Sequence, residues 1–516
     1  MSELPEVVQA LLNPQIYPDK ATRVDLIQSQ MSFIFLTGKY AYKVKKGVNL
    51  GYLDYSTLDK RHYFCKQEVE LNRRLSPEAY LGVIPITQNK GEFTLSGKGQ
   101  PVEYAVKMLQ LPHESMLNVL LERGRATSEM LEKVAAKMAA FHARAATRPD
   151  ISKFGRMEAV KVNTDENFSQ TDKYFGATIT AAQFHRIKDY TNQFLHRNEA
   201  LFNHRADEGR VRDCHGDLHS QHICFNESLS IYDCIEFNDR FRYCDVASEI
   251  AFLAMDLDHF GRADLARSFV EDYIRLSGDK QIEEILKFFK TYRAYVRGKV
   301  SSFKYVDPYV SEKEKNQIRE MARAYFDLAQ IYTRNTPLLL MTVGLVGSGK
   351  TTVANHLARR LGLTVLSSDI IRKKLASVPP TEHRFDEMNS GIYSAEFSRK
   401  TYARLFAEAG EILRRGEPVI LDATFIRAED RAGAIKLAAE SGAELRVVEC
   451  RLDENNIKER LTQRLKGSSV SDGRWEIYEP QKKIFDPVVE FPPSSHFVVD
   501  TAQPLFDQLS RVPESL

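Results

Sequence analysis

The sequence predicts two domains, an α+β domain at the N-terminal end and an α/β domain at the C-terminal end. Three observations carry this expectation. The chain has 516 residues, more than a single hydrophobic core usually organises. From about residue 22 to 110 short apolar runs alternate with turns, and from there to about 335 the spacing is mostly helical. After Thr333-Arg334-Asn335-Thr336-Pro337 the pattern changes to buried strands alternating with helices. That alternation implies a mostly parallel sheet with helices on both faces. The expected domains are 1–335 and 336–516.

Each element follows from its local pattern. Phe33-Ile34-Phe35-Leu36, the turn Thr37-Gly38-Lys39 and the run from Tyr40 to Lys45 read as a hairpin. Residues 58–75 carry helical spacing, with Tyr63, Val69, Leu71 and Leu75 as the apolar positions. A further strand over 102–109 stops at Leu111-Pro112. Helices are expected over 130–145 and 282–299, with a short β segment at 222–235. A small sheet plus one helix, followed by a helical lobe with a β insertion, is a bilobal plan. Downstream, strands are expected at 338–343, 364–366, 419–421, 445–450 and 496–499.

Bulk properties narrow the function little. The chain is 43% hydrophobic and 28% charged, ordinary for a globular protein. A net charge of +2 lacks the electrostatic footprint of a dedicated nucleic-acid binder. No basic segment precedes an apolar stretch at the N-terminus, so no secretory signal is expected. The most apolar run, 337–346, is far shorter than the roughly 20 residues of a membrane span. Six cysteines in a chain this long fit a reducing cytosol. Cys214, Cys224, Cys234 and Cys244 recur every ten residues near His215, His219 and His222. Their spacing matches no zinc pattern, and buried, inert thiols are expected. The oligomeric state is not legible.

Two motifs carry chemistry. The first is Gly344-Leu345-Val346-Gly347-Ser348-Gly349-Lys350-Thr351, then Thr352, directly after an apolar strand and directly before a helix. In that context the glycines let backbone N–H groups converge on phosphates at the positive end of a helix dipole. Lys350 is expected to reach the β- and γ-phosphates of ATP, and Thr351 to ligate Mg²⁺. Asp422, at the end of its strand, is the second Mg²⁺-orienting carboxylate. Asp369 ends the next strand after the loop and faces the acceptor, where it could take a hydroxyl proton or simply cap a helix. Arg460 and Arg464, four apart on one helical face, could close over the phosphates or be a solvated face.

These residues resemble the small P-loop kinases, the group of polynucleotide 5′-kinase, gluconate kinase and zeta-type toxins, often labelled AAA-family ATP-binding proteins. The resemblance covers 338 to about 505. It rests on the phosphate loop, Ser368-Asp369-x-x-Arg372, Asp422-Ala423-Thr424 and Arg460/Arg464. It implies ATP, Mg²⁺ and phosphoryl transfer to a hydroxyl of a small molecule or a nucleic-acid end. A small-molecule acceptor is favoured, because no basic-aromatic channel for a strand is evident.

The second motif is His215-Gly216-Asp217-Leu218-His219-Ser220-Gln221-His222, followed by Ile231-Tyr232-Asp233. Asp217 is placed as the aspartate that takes the acceptor's proton and Asp233 as a metal carboxylate on a strand. Lys43, in Ala41-Tyr42-Lys43, points inward to the α/β-phosphates, with Glu68 as its helix partner and Glu70 close behind. Residues 20–330 resemble the aminoglycoside phosphotransferase and choline kinase group, a bilobal protein-kinase-like fold. Asp245-Val246-Ala247-Ser248-Glu249-Ile250-Ala251 adds to the likeness. The chain departs from it at His222, where the second metal ligand is normally Asn. Imidazole is a poorer partner for hard Mg²⁺ than an amide oxygen. The favoured expectation is a cytoplasmic, two-site phosphotransferase. The alternative is an ATP-driven switch with an N-terminal interaction module.

Overall fold

The computed structural model describes residues 4–514 apart from 227, 308–309, 380–381, 383–389 and 465–471. The chain forms two compact units. One comprises 1–165, 192–256 and 265–289, and the other 166–191, 257–264 and 290–516.

The first unit is built on a six-stranded antiparallel sheet. Its order is Asp25–Gln28, Ser32–Leu36, Tyr40–Lys45, Gln100–Leu109, Tyr80–Asn89, Glu92–Leu95. Phe33, Phe35, Tyr42, Val44, Ile86 and Ala105 pack with Val8, Leu11 and Tyr17 in one core cluster. A second cluster joins Val106, Ala79 and Tyr80 of the sheet region to Cys65 and Val69 of the helix Leu58–Asn72. Thr57 caps that helix by accepting from the Lys60 amide. The helix buries Cys65, Glu68, Val69, Leu71 and Asn72, whereas Tyr63 is 57% exposed. Tyr63 was an expected core position. The packed face instead takes the polar pair Glu68 and Asn72, which have partners waiting for them.

The remaining helices of this unit include Ser128–Arg144 and Glu199–Asp207. The β segment expected at 222–235 is a small hairpin, Ile223–Phe225 with Leu229–Ile231. Arg205, fully buried, makes paired hydrogen bonds to Asp245 (2.8 and 2.8 Å) and to Asp279 (2.9 and 2.9 Å). Such bidentate pairing satisfies a buried guanidinium in a way one carboxylate cannot.

The second unit holds an all-parallel five-stranded sheet in the order Thr364–Ser367, Val419–Asp422, Leu338–Val343, Glu444–Arg451, His496–Asp500. Alternation along Leu338–Val343 divides the two faces. Leu338 and Leu340 pack with Val353, Leu357 and Leu361 of the helix Lys350–Leu361. Leu339, Met341 and Val343 pack with Leu405, Ala409 and Ile412 of Ala395–Arg414 and with Ala434 and Leu437 of Ala428–Ser441. A sheet covered on both faces explains the continuous apolar run in this strand. Each such Leu or Ile contributes about 1.5–3 kcal/mol on burial.

The helix Glu312–Tyr332 starts in a capping box of Ser311 and Glu314. Its buried Asp327 accepts from Gln183 Nε2 at 2.6 Å and pairs with Arg360 of Lys350–Leu361. Segments 166–191 and 290–332 therefore associate with the parallel sheet. All six cysteines are thiols, five of them buried and Cys244 half-buried. Among the described residues no helix is long and apolar enough to cross a membrane.

Candidate functional site

The parallel sheet reverses its winding beside Leu338–Val343, which lies between Val419–Asp422 and Glu444–Arg451. Ligands of open parallel sheets bind beyond the carboxyl ends of the strands at such a switch point. The loop 344–349 leaves Leu338–Val343 there and enters Lys350–Leu361. Gly344 has φ of 149°, and a Cβ on it would lie 2.6 Å from the Cys450 carbonyl oxygen and 2.7 Å from Ser348 Oγ. Only glycine lets the chain turn this closely. Lys350 Nζ donates to the Leu345 carbonyl at 2.8 Å, so the lysine curls over its own loop. Thr351 Oγ1 donates to Asp422 Oδ2 at 2.8 Å. Ser348 Oγ is buried and has no hydrogen-bond partner among the described residues.

A cavity of about 460 Å³ opens on this loop. Gly347, Gly349, Lys350, Thr351 and Thr352 line one side, with Asp369, Arg372, Tyr393, Asp422 and Asp430 among the residues facing it. Asp369 is the second residue of the helix Ser368–Leu375, whose N-cap, Ser367, makes no side-chain cap bond. Asp369 is therefore not the N-cap residue of this helix. Arg372 follows one turn later, donates to the Ile392 carbonyl at 2.8 Å and to Ser398 Oγ at 3.2 Å, and lies over the Tyr393 ring. Burial pushes the Asp422 carboxyl above its usual range, despite the Thr351 hydroxyl and Lys350 ammonium that pull it down. Burial, with Glu429 beside it, also pushes Asp430 up to about 6.

Arg460 lies on the helix Glu454–Arg464 and donates to Thr501 Oγ1 at 3.0 Å and the Thr501 carbonyl at 2.6 Å. Thr501 Oγ1 in turn donates to the Ser348 carbonyl at 2.9 Å. A Cβ on Gly349 would come within 3.2 Å of Arg460 Nη1, so the guanidinium is against the loop. Arg464 is the last residue of that helix; its side chain lies outside the described residues. Leu345 and Val346 pack into a separate apolar cluster with Ile457, Leu461 and Tyr478, which anchors the loop's outer half.

The second motif forms a different kind of site. His215-Gly216-Asp217 is held by backbone bonds to one buried carboxylate. The His215 amide donates to Glu249 at 3.1 Å and the Gly216 amide to its other oxygen. Glu249 also meets His142 Nε2 at 2.8 Å, whose Nδ1 contacts the Tyr273 hydroxyl at 2.7 Å. Gly216 has φ of 88°, and a Cβ there would lie 3.0 Å from the Phe241 carbonyl oxygen. His215 Nε2 faces the Tyr232 carbonyl at 2.9 Å while Nδ1 accepts from the Asp217 amide at 3.3 Å, which fixes the Nε2–H tautomer.

Lys43 Nζ lies 2.9 Å from Glu68 Oε1 and 2.7 Å from Asp233 Oδ1, joining the three expected residues. Burial works to lower the lysine's pKa, but Asp233 and Glu68 hold it well above the usual range. Asp233 does not lie on a strand, as the sequence pattern implied. It follows two residues after Leu229–Ile231 with φ of 64°, and its amide donates to the Tyr80 hydroxyl at 3.2 Å. The hairpin's pairing ends at Ile223↔Ile231, and the left-handed residue turns the carboxylate to Lys43.

Sequence reasoning missed Lys45. It sits two residues along the same strand face, fully buried, and pairs with Glu68 (2.6 Å) and Glu236, within reach of the Tyr55 hydroxyl. The Lys43-x-Lys45 spacing, period two on a strand, was the available signal. Thr501, Asp430 and Glu236 had no local signal. Glu70 accepts from Gln67 Nε2 at 3.3 Å.

As a metal holder, the pair Thr351 and Asp422 offers oxygen alone, which suits Mg²⁺. At the other motif His222 sets nitrogen between two carboxylates, with Nδ1 3.5 Å from Asp217 Oδ2 and Nε2 3.5 Å from Asp233 Oδ2. That donor set does not suit Mg²⁺.

The chain is 29% identical over 447 residues to an uncharacterized protein of Mycobacterium bovis, Mb2027c, covering 86% of this chain and 87% of the relative. The same figures hold for the uncharacterized protein Rv2004c of Mycobacterium tuberculosis. Among solved structures, a putative kinase of Chloroflexus aurantiacus is 20% identical with a TM-score of 0.29, over 35% of this chain and all of that one. A gluconokinase of Sinorhizobium meliloti is 22% identical with a TM-score of 0.24, over 35% of this chain and 93% of that one. A glucosamine kinase is 16% identical with a TM-score of 0.34, over 61% of this chain and 80% of that one. At such scores the fold stands on strand order and loop geometry alone. Residues 339–487 match the family model of an AAA domain, so the phosphate loop, Asp369, Asp422 and Arg460 fall within one P-loop domain.

Proposed function

We propose that the chain is an ATP-dependent phosphotransferase whose principal site is the C-terminal cavity, transferring the γ-phosphoryl group to a hydroxyl of a small molecule. The observation that carries this reading is that the phosphate loop and Asp369 line one cavity. A hydrolytic switch needs the loop but no acceptor-side carboxylate. In this reading the amides of 344–349 and Lys350 hold the phosphates. Thr351 and Asp422 hold Mg²⁺, which when bound neutralises charge on the β- and γ-oxygens. Asp369 accepts the acceptor's hydroxyl proton, and Arg372 fixes the wall behind it. Arg460 steadies the loop through Thr501.

The first unit is proposed to be kinase-like, resembling the aminoglycoside phosphotransferases, with Lys43 and Glu68 on the nucleotide side and Asp217 as base. A nucleic-acid end is the less favoured acceptor. An interaction module is the second reading for this unit, favoured by His222 where the resemblance expects Asn. The proposed location is the cytoplasm.

Label transfer from γ-labelled ATP into a metabolite and oligonucleotide mixture tests this, with wild type beside Lys350→Ala and Asp217→Ala. A labelled product lost with Lys350→Ala supports the C-terminal assignment and reveals the acceptor class. Label appearing only as free phosphate in wild type would replace the transferase by the switch. Nucleotide binding without turnover, unaltered by Asp217→Ala, would make the first unit an interaction module.

A further inference from the structure

The helix Trp475–Lys483 presents two faces. On one, Trp475 and Tyr478 stack with ring centroids 4.9 Å apart and join the apolar cluster of Val346, Ile457 and Leu461. Lys482 adds an ion pair to Glu454 at 2.8 Å. On the other face Ile477, Gln481 and Ile484, spaced four and three apart, line the same cavity as the phosphate loop and Asp369. Gln481 Oε1 accepts from the Val346 amide of that loop at 3.0 Å. A main-chain N–H only donates, so this bond fixes the carboxamide: its oxygen is on the loop and its NH₂ is turned away from it. Among the described residues no protein group accepts from Gln481 Nε2.

The peptide unit between Leu345 and Val346 is gripped at both ends, because its carbonyl accepts from Lys350 Nζ at 2.8 Å. Oxygen and hydrogen of a trans peptide point apart, so Gln481 and Lys350 flank the outer loop from opposite sides. Lys350 is the residue that phosphate-loop chemistry sets against the β- and γ-phosphates. Two N–H donors across the loop from it, on the cavity wall, are preorganised for the oxygens of the terminal phosphoryl group. That group is what a diphosphate lacks. We propose that Gln481 contacts the substrate in this cavity, its Nε2 donating to the γ-phosphoryl oxygens and thereby distinguishing a nucleoside triphosphate from a diphosphate. The role rests on the phosphotransferase reading of the cavity and adds to it the residue that reads the third phosphate.

Equilibrium binding of ADP and of the non-hydrolysable triphosphate AMPPNP, each with MgCl₂, to the full-length chain tests this. Lys350→Ala, run in parallel, defines the share of binding that belongs to this loop. Gln481→Met keeps the side chain's length but has no donor. Its AMPPNP affinity should fall about ten- to hundredfold, the worth of a hydrogen bond to a charged group, with ADP affinity near wild type. Gln481→Glu keeps an oxygen for the Val346 amide and should lose at least as much AMPPNP affinity, because its carboxylate faces the same oxygens. Circular dichroism checks folding, and the Glu variant carries the same ratio if the Met variant does not fold. Equal losses for the two nucleotides would make Gln481 a brace of the loop and overturn the proposal. So would unchanged affinities, or a gain for AMPPNP, which would make the Gln481 oxygen a plug. Wild-type binding of both nucleotides in Lys350→Ala would instead take the nucleotide away from this loop, and would sink the proposed function of the cavity together with the role of Gln481.

Discussion

The two motifs are held in place by opposite means. The loop 344–349 is shaped by backbone: a tight turn at Gly344, a helix N-terminus at Lys350, and a parallel sheet that places Asp422 beside Thr351. Its contacts are mostly near in sequence or forced by strand order. The Lys43, Glu68 and Asp233 cluster is shaped by side-chain charge, across 190 residues between lysine and aspartate. Backbone geometry tolerates the loss of a side chain, whereas a buried ion cluster does not. The second lysine, Lys45, deepens that dependence, because Glu68 serves both.

The largest expected effect breaks the charged cluster. Glu68→Ala leaves Lys43 and Lys45 short of a partner, and should cost about 3–5 kcal/mol of stability. Urea unfolding reads this; a loss below 1 kcal/mol would mean the cluster is not what holds the unit. Lys350→Ala makes the converse test. Lys350 Nζ donates to the Leu345 carbonyl of its own loop. Transfer should fall by about 10²–10³-fold with the unfolding midpoint unchanged, and a lowered midpoint would erase the contrast between the two sites.

Arg460→Ala removes a guanidinium that braces the loop through Thr501. A fall in kcat of about tenfold is expected, smaller than for Lys350 because the bond is to protein. Thr501→Ser, which keeps the hydroxyl, should leave the rate near wild type; an equal loss in both variants would point to packing instead.

The smallest effect is one of pH. Asp430 has its pKa pushed up to about 6 by burial and by Glu429. A carboxyl raised on folding binds its proton more tightly in the native state. Its contribution is therefore full below the unfolded value near 4 and is lost as pH rises through about 6. Asp430→Asn should flatten the stability curve between pH 4 and 6, and an unaltered slope would remove Asp430 from the account.

The phosphate loop was legible because its function is written in consecutive residues. Gly344 to Thr351 needs only a strand before it and a helix after it, and both were visible as apolar alternation. The same holds for the strand end at Asp422, whereas Asp369, expected at a strand end, is the second residue of the helix Ser368–Leu375, because the strand before it stops at Ser367. Tyr63 was misread, since helical spacing cannot tell an apolar face from one that buries Glu68 and Asn72. Asp233 was placed on a strand because Ile231 and Tyr232 alternate properly, yet pairing stops at Ile231 and a left-handed residue follows.

By itself the sequence determined the strand and helix alternation, the five parallel strands and the residues of both motifs, because short-range sterics and hydrophobic period act within a few residues. Only the tertiary structure decided that Lys45 shares Glu68, that Glu249 anchors the His215 loop, that Thr501 carries Arg460 against Gly349, and that His222 stands between two carboxylates. Those contacts pair residues far apart in the chain. Their energies come from burial and charge at a place that exists only once the chain has folded.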